Sequence, residues 1–220
     1  MNKYNFHTWN GELLKIGIYS IYFENNDPSY RDYQKRIFDK FDLNINQICG
    51  YSDMGYDGHP NFMNEILSSE DVDYFIFFDI DCIPLQSNFI NVILERIYNK
   101  DTFIGIEQRT SHLNNDVYAG PACLSISKKF YEKLNYPKMN ATNRGDVAEE
   151  LSHICRERGY EINFFKFKSC VEPRWSLRNG VKFGVGSNYE DLVFHNFLSA
   201  CGYAKDIFIN ESKKILGYEN

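Results

Sequence analysis

Apolar positions along this chain fall into two alternating rhythms. Ile16 to Phe23 (IGIYSIYF) is almost continuously apolar and predicts a strand. Asp27-Pro28 then has the form of a helix start, with a capping aspartate and proline at the first helical position. Tyr30, Tyr33, Ile37, Phe38 and Phe41 follow at helical spacing and give that helix one apolar face. Ile45 to Tyr51 predicts a second, short strand. The loop SDMGYDGHP ends at Pro60, which opens a helix carrying Phe62, Met63, Ile66 and Leu67. Asp73 to Leu85 (DYFIFFDIDCIPL) is the most apolar stretch of the chain. Ser87 is placed to cap a helix whose Phe89, Ile90, Ile93, Leu94 and Ile97 share a side, and Thr102 to Ile106 predicts another strand.

Strand and helix therefore alternate through the first half, which implies a parallel sheet covered on both faces. The second half is less regular. It predicts a turn at Ala119-Gly120-Pro121, a short strand, helices near 128–134 and 146–158, and extended segments near 161–168 and 190–197. No internal repeat, linker or low-complexity segment is visible. The 220 residues predict one α/β domain, with a central, mostly parallel sheet flanked by helices and a less regular later half.

Charge narrows the range of partners. A net charge of −6, with no basic run longer than a pair such as Lys128-Lys129, argues against a nucleic-acid partner. The six cysteines form no CxxC or CxxH pair, which disfavours a zinc site or a disulfide framework and predicts reduced thiols in a cytoplasmic compartment. The amino-terminal stretch has no apolar signal core, and no apolar run approaches membrane-spanning length, so no membrane span is expected.

Chemistry concentrates at Asp79 and Asp81. A strand apolar on both faces belongs in the middle of a sheet, and open α/β sheets bind ligands beyond the carboxyl ends of such strands. The two carboxylates leave that end on the same side, two residues apart. They repel each other unless a cation joins them, and hard oxygen ligands suit Mg²⁺ or Mn²⁺. The alternative is a solvated strand end with ordinary loop-starting aspartates.

In motif order, the chain resembles metal-dependent glycosyltransferases of the GT-A fold. FFDIDCIPL resembles the Asp-x-Asp strand of that superfamily, and YAGPACLSISKKFYEKL the turn, strand and helix lining its sugar and acceptor pocket. RGDVAEELSHICRERGY resembles the acidic helix start that offers a carboxylate to the acceptor. YEDLVFHNF resembles the late strand whose histidine completes the metal site. The compact length is similar to minimal domains of this fold in large viruses and phages, which would place the protein in a host cytoplasm.

The resemblance implies a single domain with a nucleotide-sugar-binding half at about 1–108 and an acceptor-binding half at about 109–220. It implies Asp79 on the ribose or metal, Asp81 on the metal, and His195 as third ligand to Mn²⁺ or Mg²⁺. It further implies a UDP- or GDP-sugar donor and a glycan or glycoprotein acceptor. Asp146 is the candidate base for the acceptor proton, with Glu149 and Glu150 behind it, and Ser20, Asp53 and His59 are candidates for donor contacts.

Each residue also has a plainer reading. His195 could be a satisfied histidine in an apolar strand, and Asp146-x-x-Glu149 has the spacing of a capping box. Asp53 and His59 could be turn residues; Arg109, Arg174, Arg178 and Lys182, placed in loops, could be solvated charge; Trp175 could be packing rather than a sugar platform. Two further functions stay open. One is a non-catalytic carbohydrate- or nucleotide-binding module. The other is a sugar-phosphate nucleotidyltransferase, although FENNDPSYRDY after the first strand lacks the glycine-rich, arginine-bearing loop that such an enzyme needs.

Overall fold

A computed structural model describes residues 3–50, 58–110, 116–198 and 202–218. In chain order the first half holds β1 (Asn5–Trp9), β2 (Glu12–Phe23), α1 (Pro28–Lys40), β3 (Asn46–Gly50), α2 (Gly58–Ser69), β4 (Tyr74–Asp79), β5 (Cys82–Pro84) and α3 (Phe89–Ile97). There follow β6 (Thr102–Arg109), β7 (Val117–Ser127), α4 (Lys128–Lys133), α5 (Glu149–Glu157) and β8 (Glu161–Phe165). Last come β9 (Phe167–Arg178), β10 (Val181–Tyr189), β11 (Val193–His195) and α6 (Gly202–Leu216).

The strands build two sheets. The larger has seven strands in the order β1-β2-β4-β7-β6-β8, with β3 also on β2. β1 pairs antiparallel with the first part of β2, while β3 pairs parallel with its last part, from Tyr19 to Phe23. β4 lies parallel on the other edge of β2. β7 is antiparallel to both β4 and β6, and β8 is parallel to β6. Strands β2, β3, β4, β6 and β8 thus share one direction and only β1 and β7 run against them, so the sheet is mostly parallel as expected.

Burial explains the apolar run of β4. Tyr74, Ile76 and Phe78 face a cluster built with Phe38 of α1 and Phe89, Ile90, Ile93, Leu94 and Ile97 of α3. Phe75 and Phe77 face the opposite cluster, with Met63, Ile66 and Leu67 of α2, Phe130 of α4 and Leu151 of α5. Every side chain from Tyr74 to Phe78 is buried, and each contributes about 1.5–3 kcal/mol relative to exposure.

The second sheet is wholly antiparallel, in the order β5-β11-β10-β9. It begins where β4 ends. The chain leaves the first sheet at Asp79 and enters the second at Cys82, so the Asp-x-Asp motif is the crossing between them.

Several expectations need correction. Ala119-Gly120-Pro121 is not a turn but lies inside β7. Opposite it, Gly105 pairs with Leu124 and Ile106 with Gly120, so the residues between form a bulge that tolerates a proline without an N–H. Asn88, not Ser87, precedes α3, and its side chain makes no capping bond. α5 begins at Glu149 rather than 146, because Ala148 takes a left-handed conformation with φ 61°. Arg109, Arg174, Arg178 and Lys182 lie in strands, not loops. Unforeseen elements are β1, the β9–β10 hairpin and α6. Among the described residues no helix is long and apolar enough to cross a membrane.

Candidate active site

Asp79 is the last residue of β4 and lies opposite Ile21 of β2, at the carboxyl end of the parallel strands. Ile80, buried against Ile83 and Phe194, anchors the crossing from below. With that side chain fixed inward, Asp79 and Asp81 on either side of it turn to the same cleft. β11 then docks on β5 with His195 opposite Cys82, and the Asn196 N–H donates to the Asp81 carbonyl at 3.0 Å. This register delivers His195 to the two carboxylates.

One ligand atom from each of Asp79, Asp81 and His195 lies within 4.8 Å of the others. His195 Nε2 is 3.3 Å from Asp81 Oδ1 and 3.7 Å from Asp79 Oδ2. His59, at the start of α2, approaches from the opposite side, with Nε2 3.2 Å from Asp79 Oδ1. Burial pushes the Asp79 carboxyl upward, but the His59 hydrogen bond and the charges of His59 and His195 outweigh it, so it titrates below its ordinary value.

These residues fit a divalent cation. Asp81 and His195 are buried, at 5% and 4% exposure. Two carboxylates at such a separation repel by about 3 kcal/mol at an effective dielectric of about 20. Nδ1 of His195 is buried without a hydrogen-bond partner among the described residues, and the ring lies tilted against Phe197 at 3.8 Å between centroids. Two anionic oxygens and an imidazole nitrogen facing one another suit Mn²⁺ or Mg²⁺, with positions left for further oxygen ligands.

The triad opens on a cavity of about 380 Å³, within the about 300–1,000 Å³ range of ligand pockets. Its wall includes His59, Gln108, Tyr118, Asp146 and Phe197. The Val147 N–H donates to Asp146 Oδ1 at 2.8 Å, and the Asp146 N–H donates to Glu149 Oε2 at 2.8 Å. Half of the capping-box pattern is therefore present, yet Asp146 itself stands on the cavity wall. The phenol of Tyr118 is held well above its ordinary value, first by burial and then by the nearby charge of Asp146.

The cleft thus gathers Asp79, Asp81, His195, His59 and Asp146. Ser20 is buried in β2, between Gln47 and Phe78, and is not part of the cavity wall. Glu149 is fully buried beneath Asp146, with His153 Nε2 at 3.6 Å, and Glu150 is bound by the Arg144 guanidinium, its Nε at 2.9 Å. Asp53 lies outside the described residues. Arg178 pairs with buried Glu107 at 2.9 Å, and Arg174 pairs with Glu172 at 2.6 Å.

Sequence reasoning missed Gln34. It is fully buried, and its amide donates to the carbonyls of Asp79 at 2.8 Å and Cys82 at 2.9 Å, clamping both ends of the motif's crossing. The signal was present: a glutamine on the apolar face of α1, one turn after Tyr30 and one before Ile37 and Phe38.

No protein-family model matches the chain, and no curated protein matches it. Solved structures do. One is an aspartate mutant of Drosophila beta-1,4-galactosyltransferase 7 in complex with manganese, UDP-Gal and xylobiose, at TM-score 0.46 and 13% identity, covering 87% of this chain and 79% of that one. Another is the bifunctional IspDF from Campylobacter jejuni, at TM-score 0.41 and 13% identity, covering 75% of this chain and 51% of that one. The chemistry rests on the site's own residues.

Proposed function

We propose that this protein is a metal-dependent glycosyltransferase, moving a sugar from a nucleotide-diphosphate sugar to a hydroxyl acceptor. The observation that carries this reading is the convergence of Asp79, Asp81 and His195 within 4.8 Å, beyond the carboxyl end of β4 and at the edge of a ligand-sized cavity. When bound, Mn²⁺ or Mg²⁺ there offsets the negative charge that develops on a leaving diphosphate.

The other groups have matching tasks. Asp81 and His195, both buried, present fixed ligand atoms, and Asp79 adds a second carboxylate that His59 orients. His59 stands beside that carboxylate as the group nearest to donor phosphates. Asp146, across the cavity, is the carboxylate positioned to accept the acceptor's hydroxyl proton, with Glu149 holding its backbone in place. In this reading the donor is a UDP- or GDP-sugar, and the acceptor approaches from the side of β7, β9 and β10. The β2–α1 connection argues against a nucleotidyltransferase: it is a tight turn in which Asn26 Oδ1 accepts from the Phe23 N–H at 2.7 Å, with no glycine cradle for a triphosphate.

The test is calorimetric titration with UDP and with GDP, each with and without Mn²⁺, on the native chain and on Asp81→Asn. The expected result is metal-dependent binding of one nucleotide that weakens about 100-fold or more in the variant. Absence of binding under every metal condition would overturn the proposal.

A further inference from the structure

A second cavity adjoins the first. It measures about 180 Å³ and is lined by Gln108, Arg109, Thr110, Asp146, Trp175, Phe183 and Phe197. Gln108, Asp146 and Phe197 belong to both walls, so the two cavities meet at the carboxylate that faces the metal triad.

The side cavity has two chemically different faces. One is an aromatic cluster, in which Trp175 stands 5.5 Å from Phe183 and 5.4 Å from Phe197, and Phe183 stands 5.4 Å from Phe197. Phe183 is buried at 2% exposure, whereas Trp175 is only half-buried and keeps surface on the cavity. The other face is polar, with the Gln108 amide, the Arg109 guanidinium and the Asp146 carboxylate. Gln108 folds over Gly120, where an added Cβ would meet Gln108 Oε1 at 2.4 Å, so the glycine of Tyr118-Ala119-Gly120 makes room for that amide.

From this arrangement, and resting on the glycosyltransferase reading above, we infer that the side cavity binds a single pyranose ring of a carbohydrate acceptor. A pyranose has the same two-sided character. Its axial C–H face packs on an aromatic platform led by Trp175, and its hydroxyl edge meets Gln108 and Asp146. A lipid tail would offer the amide and the carboxylate no hydrogen bond in place of the water it displaced, which costs free energy. The volume lies below the about 300–1,000 Å³ of pockets for larger ligands, which limits occupancy to one ring, with any remaining chain in solvent. The ring's hydroxyl would then lie next to Asp146, the junction of the two cavities.

The test uses the fact that the chain has two tryptophans. In a Trp9→Phe background Trp175 is the sole indole emitter. With Mn²⁺ and the nucleotide that binds, its emission is titrated with methyl β-D-glucopyranoside, galactopyranoside, xylopyranoside and mannopyranoside, and with cyclohexanol as an apolar ring. Saturation-transfer NMR on the native chain and on Trp175→Ala reads glycoside binding independently. The inference expects at least one glycoside, but not cyclohexanol, to shift the emission saturably. It also expects Trp175→Ala to weaken that glycoside about tenfold or more, with nucleotide affinity unchanged. Silence from all four glycosides while metal-dependent nucleotide binding persists would overturn the inference and leave the donor reading standing. An equal response to cyclohexanol, or unaltered glycoside binding by Trp175→Ala, would also overturn it. Loss of nucleotide binding itself, seen separately by calorimetry, would overturn both.

Discussion

Gln34 shows how one buried polar side chain can govern a site it never enters. Its amide satisfies two carbonyls that the crossing from β4 to β5 leaves unpaired, and its own oxygen accepts from Gln47 Nε2 at 3.1 Å. Replacing it with leucine of similar size would leave the Asp79 and Cys82 carbonyls buried without donors, a loss of about 1–3 kcal/mol. The crossing would relax, and with it the spacing of Asp79 and Asp81. Gln34→Leu is therefore expected to lower metal-dependent nucleotide affinity about tenfold or more, measured by calorimetry below the variant's melting temperature. A lower melting temperature with unchanged affinity would show that the clamp serves stability alone.

At the level of elements, α6 holds the second sheet against the first. Tyr30 of α1 packs on Phe208 at 4.8 Å between ring centroids, and buried Asn196, next to His195, donates to the Ala204 carbonyl at 2.6 Å. The Asp27 carboxylate caps α1 through the Ser29 N–H at 2.9 Å and also binds Lys205 of α6. The Lys205 bond, together with the Ser29 bonds, lowers the Asp27 carboxyl from 3.8 to about 2. A folded value below the unfolded one means that this stabilisation is complete above about pH 4 and fades as pH falls through about 2. Asp27→Ala should thus cost about 1 kcal/mol at neutral pH. The gap between native and variant urea midpoints should hold from pH 6 to about pH 4 and narrow from there to pH 2.5. A gap constant over that range would remove the ionised carboxylate from the explanation.

The same elements show what patterning could reveal. β2, α1, α2, β4, α3 and β6 were legible because each buries a stripe or a full run of apolar side chains under one of two helical layers. The β9–β10 hairpin was not, because β9 is an edge strand with most side chains exposed, and its Arg174 and Arg178 read as loop charge. The turn expected at Ala119–Pro121 failed for a different reason. Glycine and proline there serve a bulge inside β7 and the folded-over Gln108, not a chain reversal.

For the molecule as a whole, the site lies where two sheets meet. Asp79 and Asp81 were readable from an apolar strand ending in two acids, a local signal. That His195 stands beside them depends on β11 pairing with β5 across more than a hundred residues, which motif order could suggest but local pattern could not. The two sheets therefore contribute different ligands to one cluster: Asp79 ends the first, and His195 belongs to the second. An ion bound by both must stabilise their union and not only the loop that holds it. At a free-ion concentration of about 100 Kd this amounts to about 2.7 kcal/mol, a plain upward shift in melting temperature. Mn²⁺ should accordingly raise the melting temperature of the native chain, measured by scanning calorimetry without nucleotide. Asp81→Asn and His195→Ala, altered at the crossing and on the second sheet, should each abolish most of that shift. Lys133→Ala, which breaks an ion pair with Asp101 at the opposite end of the strands, should retain it. A full shift persisting in His195→Ala would mean that the ion is held by the two aspartates alone, and that the second sheet supplies a wall to the cavity but no ligand.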